Sequence, residues 1–260
     1  AAGMADVHAI PRARVPVCKA RHAANGTCFD VTINNHLALI NTKLLRDYAE
    51  LDPRLRQLVF LVKHWAKQRG VNDSYRGSLS SYAYVLLCIH LLQRRSPPVL
   101  PVLQHLAEAP AAAGCAAGLA GDGTLGLRVF SRAVGGWRCE FYDDAEALRG
   151  IGSANTESLA QLLLAFFDYW AVRHDYNHAV ATIRVPGGLL SKASKNWTMR
   201  HGSERHLVCI EDPFELSHDL GRTIDKVSVV GLRREFERAA RVLASVPDPL
   251  PLLFQPLRQE

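Results

Sequence analysis

One stretch constrains the fold more than any other. Residues 81–93 read SYAYVLLCIHLLQ, apolar on nearly every side of a helical wheel. A helix of that kind has no face to give to water, so other helices must surround it. The chain therefore needs a helical domain with this segment, roughly residues 79 to 93, in its middle. RSPPVLPVL ends the helix, because prolines cannot continue it.

The flanking segments supply the surroundings. LALINTKLLRDYAEL places Leu37, Ile40, Leu44, Leu45 and Tyr48 close to helical spacing. Asp52-Pro53 then opens a second helix, with Asp52 as N-cap and proline at the first position. Its stripe is Leu55, Leu58, Val59, Val62 and Trp65 or Ala66. Residues 156–173 predict a strongly periodic helix entered through Asn155 or Thr156, and residues 226–243 a last one. At the front, residues 15–19 and 28–33 read as strands joined by the turn RHAANG. Asp6, before them, looks like the end of a preceding helix. RVFSRAVGGWRCEFY has weak strand character, and AVATIRV, before a polar stretch at 192–206, reads as a strand. The Ala/Gly-rich segment at about 107–126 reads as an insertion or linker. No internal repeat is visible.

Composition narrows the classes. With 48% hydrophobic and 22% charged residues, this is an ordinary soluble globular chain. A net charge of +6 leans toward a polyanionic partner such as RNA, DNA or nucleotide phosphates. The cysteines at 18, 28, 88, 115, 139 and 209 form no C-x-x-C pair and no metal spacing with histidines. They read as scattered core thiols of a reducing compartment. No apolar run reaches membrane-spanning length and the first residues show no signal-peptide pattern, so no membrane partner is expected.

Four patterns could carry chemistry. Asp30, in the strand-like CFDVTINN, is a lone carboxylate among apolar and β-branched neighbours. Lys63 and Lys67 stand four residues apart on one helix face, where they could grip successive phosphates or simply be solvated. In GSLSSYAYV, Ser78, Ser80 or Ser81 can cap the central helix. The same segment could instead aim Ser81 at a phosphate and stack Tyr82 on a base. In IEDPFELSHDLGR, Asp212, Glu215 and His218 recur every three residues. A capping-box-like start accounts for Asp212, Pro213 and Glu215 but not for His218. In a tightly wound turn this period would align all three side chains along one face. An imidazole N–H there would favour uracil, which offers an acceptor oxygen where adenine offers an amino donor.

The long blocks LVKHWAKQRGVNDSYRGSLSSYAYVLLCIHLLQ, CFDVTINNHLALINTKLL and LVCIEDPFELSHDLGR resemble the terminal RNA uridylyltransferases. These belong to the DNA polymerase β-like nucleotidyltransferases, close to the cytoplasmic poly(A) polymerases. INTKLLRDYAELDPRLRQL and SHDLGRTIDKVSVVGLRREFERAARVL are most similar to the plant and green-algal branch. The resemblance implies an α+β fold. Residues 1–34 would be the C-terminal remnant of a nucleotidyltransferase palm, and 35–260 a mainly helical central domain of the poly(A) polymerase-associated type. It implies transfer of UMP from UTP to an RNA 3′-hydroxyl in mRNA or small-RNA turnover, in the cytoplasm, with two Mg²⁺ or Mn²⁺ ions. RNA-decay factors would be met through regions outside this chain.

By the same resemblance, Asp30 matches the third of three metal-holding carboxylates, and Asn41 and Thr42 match ribose contacts. Lys63, Lys67 and Ser81 match triphosphate contacts, and Tyr82 the aromatic that stacks on uracil. Asp212, Glu215 and His218 match the base-reading turn, with Arg222 a supporting cation. The family's glycine-serine loop and Asp-x-Asp pair are missing. Asp6 is a single acid, and the triplet Gly121-Asp122-Gly123 lies in the insertion. This stretch alone is therefore expected to be inactive. The alternatives are a poly(A) polymerase or a catalytically incompetent nucleotide- or RNA-binding module.

Overall fold

The computed structural model describes residues 3–13, 15–108, 128–198, 205–222 and 224–257. Helices and strands are both present, and the chain divides into two compact units, Ala1–Lys43 and Leu44–Glu260. The Gly-Asp-Gly triplet, Cys115 and most of the Ala/Gly-rich segment lie outside the described residues.

The first unit is an antiparallel sheet followed by the start of a helix. Strands β1 (Met4–Ile10), β2 (Val17–His22) and β3 (Cys28–Thr32) pair in the order β1-β2-β3. The expected pair of strands is present, and the expectation for Asp6 is overturned. Asp6 lies inside β1, at φ +53°, beside an irregularity in the β1–β2 register, and its carboxylate accepts from Arg21 at 2.7 Å. Helix α1 (His36–Leu51) begins after Asn34, whose left-handed backbone turns the chain out of the sheet.

The second unit is built around α3 (Ser81–Gln93), which is buried from Ala83 to Leu92 except at Val85. Helix α2 (Pro53–Gln68) packs on α3 and brings Trp65 into the centre. Trp65 stacks on Phe236 at 5.4 Å and meets Phe167 and Tyr84 edge-on at 4.7 and 6.2 Å. Those rings come from α6 (Lys226–Ser245), α5 (Leu159–Asp168) and α3, so one indole joins four helices. Arg69, just past α2, clasps Glu235 of α6 through two 2.8 Å bonds and donates to the Gln255 carbonyl at 2.7 Å. Short elements complete the unit: α4 (Leu103–Glu108), the hairpin β4 (Val129–Val134) and β5 (Trp137–Tyr142), the pair β6 (Ala179–Ala181) and β7 (Leu189–Ser191), and α7 (Leu250–Leu253).

Two helix entries test the capping logic. Asp52 does cap α2, accepting from the Arg54 amide at 2.9 Å. The entry to α5 is later than expected. Ser158 is its cap, in a reciprocal capping box with Gln161, and not Asn155 or Thr156. Asn155 is taken instead by the Arg54 guanidinium, which also holds the Gly152 and Glu157 carbonyls and so fastens 152–157 to α2. α5 ends at Asp168, and one wider π-type turn, Tyr169–Arg173, replaces the regular helix expected there. The cysteine expectation holds for Cys88, Cys139 and Cys209, which are buried, but not for Cys18 and Cys28 in the sheet.

That wide turn closes a buried relay. The Thr182 carbonyl lies 3.0 Å from His90 Nδ1, which must therefore carry the proton. His90 Nε2 then accepts from the Tyr169 hydroxyl at 3.1 Å, and the Tyr169 oxygen accepts from His174 Nδ1 at 3.3 Å. His174 Nε2 is left as a buried acceptor without a partner among the described residues. Gly188 is required beside this relay, because a Cβ there would lie 2.9 Å from the His90 ring. Among the described residues, no helix is long and apolar enough to cross a membrane.

Burial lowers His90 to about 3 and His174 to about 4, well below the ordinary 6.5. Both rings are neutral when folded, so their contribution is complete above pH 6.5. It is lost as pH falls from 6.5 toward 4, where the unfolded chain binds protons that the folded one refuses. The loss is up to about 1.4 kcal/mol per pH unit for each ring. Urea denaturation at pH 7.5 and pH 5 should show a shallower loss for His174→Gln than for the parent. Equal losses would contradict this assignment.

Candidate functional site

The expected site residues fall in both units. Asp30, Asn41 and Thr42 lie in the first; Lys63, Lys67, Ser81, Tyr82, Asp212, Glu215, His218 and Arg222 lie in the second.

In the first unit, β3 pairs with β2 so that Asp30 stands opposite Lys19, with Nζ 3.6 Å from Oδ2. His8 of β1 is the next partner of Lys19 in the register. Asp30 and Lys19 side chains are about half exposed (56% and 54%), so this pair is weak and easily exchanged for another cation. Asn41, on α1, carries a buried amide oxygen with no hydrogen-bond partner among the described residues. Leaving such a group unsatisfied costs about 1–3 kcal/mol unless a ligand completes it. The Thr42 hydroxyl is already spent, donating to the Ala38 carbonyl at 2.7 Å. Of the two ribose candidates, Asn41 is the one with unspent capacity.

In the second unit, the N-terminal end of α3 meets the 210–222 segment. Ser80 caps α3, accepting from the Ala83 amide at 3.1 Å. That leaves the next two side chains to act elsewhere. The Ser81 hydroxyl donates to Asn72 Oδ1 at 3.0 Å, and Asn72 Nδ2 holds the Leu79 carbonyl. The Tyr82 hydroxyl reaches across 130 residues of sequence to Asp212 Oδ2 at 3.2 Å. The aromatic and the acid that the resemblance assigns to one base are thus hydrogen-bonded to each other.

Asp212 does two jobs at once. Its Oδ1 accepts from the Phe214 and Glu215 amides at 3.0 and 2.9 Å, which is the expected capping, while Oδ2 takes Tyr82. Burial raises its carboxyl above the ordinary range, opposed by those amides and by Tyr82. The tightly wound helical turn expected here is absent. Residues 212–218 instead form a loop closed at its base by the Glu211–Asp219 bridge and by the Asp212 amide, which donates to the His218 carbonyl at 3.1 Å. The His218 amide donates to the Glu215 carbonyl at 2.8 Å. Gly221 allows the return, since a Cβ there would fall 1.8 Å from the Val208 carbonyl oxygen. Arg222 follows, half-buried, its carbonyl accepting from the Arg205 amide at 3.0 Å.

Lys63 and Lys67 do share a face of α2. With Arg56, Val59, Phe60 and His64 they line a cavity of about 410 Å³ that contains cations and apolar groups but no acid. Among the described residues neither lysine forms an ion pair. His64 is a packing residue, edge-on to Phe254 at 4.8 Å.

Among the described residues no cluster of carboxylates, as a hard divalent cation requires, converges around Asp30. Three potential ligand atoms do converge elsewhere, on His206, Cys209 and Asp219. This corrects the expectation that no cysteine has metal spacing with a histidine: His206 and Cys209 stand three residues apart in HLVC, and the fold adds Asp219. His206 Nδ1 is bonded to Asp219 Oδ2 at 2.8 Å, and Asp219 Oδ1 already accepts from the Ile210 and Gly221 amides. This donor set does not suit magnesium, which prefers oxygen ligands. The Asp30 carboxylate does suit it, as one ligand of a set.

Residues 1–50 match a family described as the central palm domain of mitochondrial-like poly(A) RNA polymerase, and residues 158–218 one described as Cid1 family poly A polymerase. A solved structure of Cid1 with the UTP analogue UMPNPP superposes with a TM-score of 0.81 at 36% identity, over 98% of this chain and 74% of that one. The chain belongs to the Cid1 family. Within it, the terminal uridylyltransferase cid1 of Schizosaccharomyces pombe is 36% identical over 93% of this chain, and the poly(A) RNA polymerase cid13 of the same yeast 35% over 93%. The chain spans 58% and 38% of the lengths of those two Cid1-family relatives.

Sequence reasoning missed several polar residues around the site. Asn72 accepts from Ser81, Lys195 donates to the Leu216 carbonyl inside the 212–218 loop, and Lys195 and Arg184 both pair with the buried Glu211, the neighbour of Asp212. The available signal was Glu211 itself, a charge at the end of the apolar run LVCI.

Tyr82→Phe keeps the ring and removes only the bond to Asp212. It should cost about 1–2 kcal/mol of stability, as expected for a hydrogen bond to a charged acceptor. Chemical denaturation measures this, and an unchanged midpoint would show that the Tyr82–Asp212 contact carries no energy.

Proposed function

We propose that a protein carrying this chain is an RNA 3′-terminal uridylyltransferase acting in cytoplasmic mRNA or small-RNA turnover. The observation that carries this reading is the Tyr82–Asp212 hydrogen bond, which joins a base-stacking ring to a loop bearing Asp212, Glu215 and His218. In it, the uracil face lies on Tyr82 and its edge meets the loop. An N–H of His218 donates to the uracil carbonyl that adenine replaces with an amino group.

The remaining residues take complementary roles. Asn41 offers its unspent oxygen to the ribose 2′-hydroxyl. Lys63 and Lys67 neutralise the triphosphate, and Ser81 joins them by turning its proton away from Asn72, at the loss of one hydrogen bond. Arg222 adds positive charge beside the loop. Asp30 would hold a divalent magnesium or manganese ion, which supplies acidification of the RNA hydroxyl and neutralisation of phosphate charge when bound. The RNA 3′-oxygen attacks the α-phosphorus of UTP in line, the bond to the β-phosphate oxygen breaks, and pyrophosphate leaves. The protein contributes position and charge rather than a covalent intermediate.

A poly(A) polymerase is the second reading, favoured by the 35% identity to a relative of that name. The two differ at the base edge. With the full-length protein, a 3′-hydroxyl RNA and magnesium or manganese, UTP should be incorporated at least about tenfold faster than each other nucleotide. His218→Ala should raise ATP use relative to UTP by about tenfold, the loss of one discriminating hydrogen bond. Equal use of all four nucleotides by the parent would sink the uridylation reading. An unchanged ratio in the variant would remove His218 from base selection.

A further inference from the structure

A buried carboxylate next to the base-reading loop has no part in the roles above. Glu211 is 1% exposed. Its Oε2 accepts from the Thr182 hydroxyl at 2.7 Å and from Arg184 Nε at 3.2 Å. Its Oε1 accepts from Lys195 Nζ at 2.7 Å and from Arg184 Nη2 at 3.3 Å. Two cations and a hydroxyl therefore meet on one desolvated acid, with Lys195 and Thr182 at the short distance of strong hydrogen bonds and Arg184 further out.

The backbone of Glu211 is fixed as firmly as its side chain. Its amide donates to the Ala181 carbonyl at 2.9 Å, and the Ala181 amide donates to the Cys209 carbonyl at 3.0 Å. Glu211 also forms the bridge with Asp219 that closes the loop. β6 thus acts as a rail for the segment that leads into Asp212.

Lys195 extends that anchor to the loop's far side. It belongs to the turn after β7, where its ammonium lies 4.9 Å from the Trp197 ring centroid. Besides Glu211, it donates to the Leu216 carbonyl, two residues before His218. A loop closed only at its base would be free to move at its tip. Lys195 catches the tip and ties it to the same carboxylate that fixes the base.

We infer that Lys195, held by Glu211, is a positioning residue that sets where His218 stands and thereby sets the choice of base. This inference rests on the uridylyltransferase reading for its consequence, though not for its geometry. A merely structural ion pair would support the fold without touching selectivity. The tie to Leu216 distinguishes the two roles, because it contributes to loop placement and to nothing else in the core.

The test compares Lys195→Met and Lys195→Arg in the full-length protein. Methionine keeps the aliphatic stem, and Glu211 retains Thr182 and Arg184, so the fold should persist. With methionine, KM for UTP should rise and the UTP-to-ATP preference should fall by about tenfold, while kcat at saturating UTP stays within about threefold, the pattern of lost binding rather than lost chemistry. Hydrogen exchange at the Asp212 and His218 amides should accelerate at least about tenfold, with the α3 amides unchanged. Arginine should restore most of both effects. A lowered melting temperature with unchanged selectivity and unchanged loop exchange would overturn the inference and leave Lys195 a structural counter-ion. If the parent shows no preference for UTP, the functional reading fails; faster loop exchange in Lys195→Met would then still support the positioning role, and unchanged exchange would overturn it.

Discussion

The burial of α3 on all sides is the constraint on which the second unit depends. An apolar helix with almost no solvent face has to be enclosed, here by α2 and α5 among others, and Trp65 of α2 gathers Tyr84 of α3, Phe167 of α5 and Phe236 of α6 into one cluster. Enclosure also fixes the helix along its axis. The hydroxyl-rich N-terminal end, with Ser80, Ser81 and Tyr82, is held in register by core packing and cannot drift. The most apolar segment of the protein thus positions some of its most polar contacts.

The loop at 212–218 adds a second means of control. Phe214 is buried against Phe141, with ring centroids 6.0 Å apart, and the polar part of the loop is shaped by hydrogen bonds: Asp212 to two amides and Tyr82, the Asp212 amide to His218, and Lys195 to Leu216. Such bonds are individually modest but directional, and in a buried setting an unmade one is costly. A polar network laid over the buried Phe214 anchor therefore adds direction to the packing. That is the property a site needs if it is to distinguish a carbonyl from an amino group.

Much of this was legible in the sequence, and the divisions are physical. The helix at 81–93 and the cap at Asp52 follow from local patterns that tertiary structure does not override. Asp6 was misread because nothing local marks β1, which exists through pairing with β2. Asn155 has the residue type of a helix cap, but α5 starts after Ser158 and the Arg54 guanidinium, 101 residues away, claims Asn155 instead. The shared helix face of Lys63 and Lys67 was readable from their spacing, while the Tyr82–Asp212 and Lys195–Leu216 bonds join segments whose proximity only the fold creates. The periodicity of Asp212, Glu215 and His218 was real, yet the turn it suggested is a bridged loop.

The central claim is that one stacking ring and one hydrogen-bonded loop form a single base-binding unit. A crystal structure of the full-length protein with UTP tests it most directly. The account predicts the uracil ring lying on Tyr82, with its carbonyl edge toward His218 and the Tyr82–Asp212 bond intact. A uracil bound away from Tyr82, or turned with its edge away from the 212–218 loop, would contradict it.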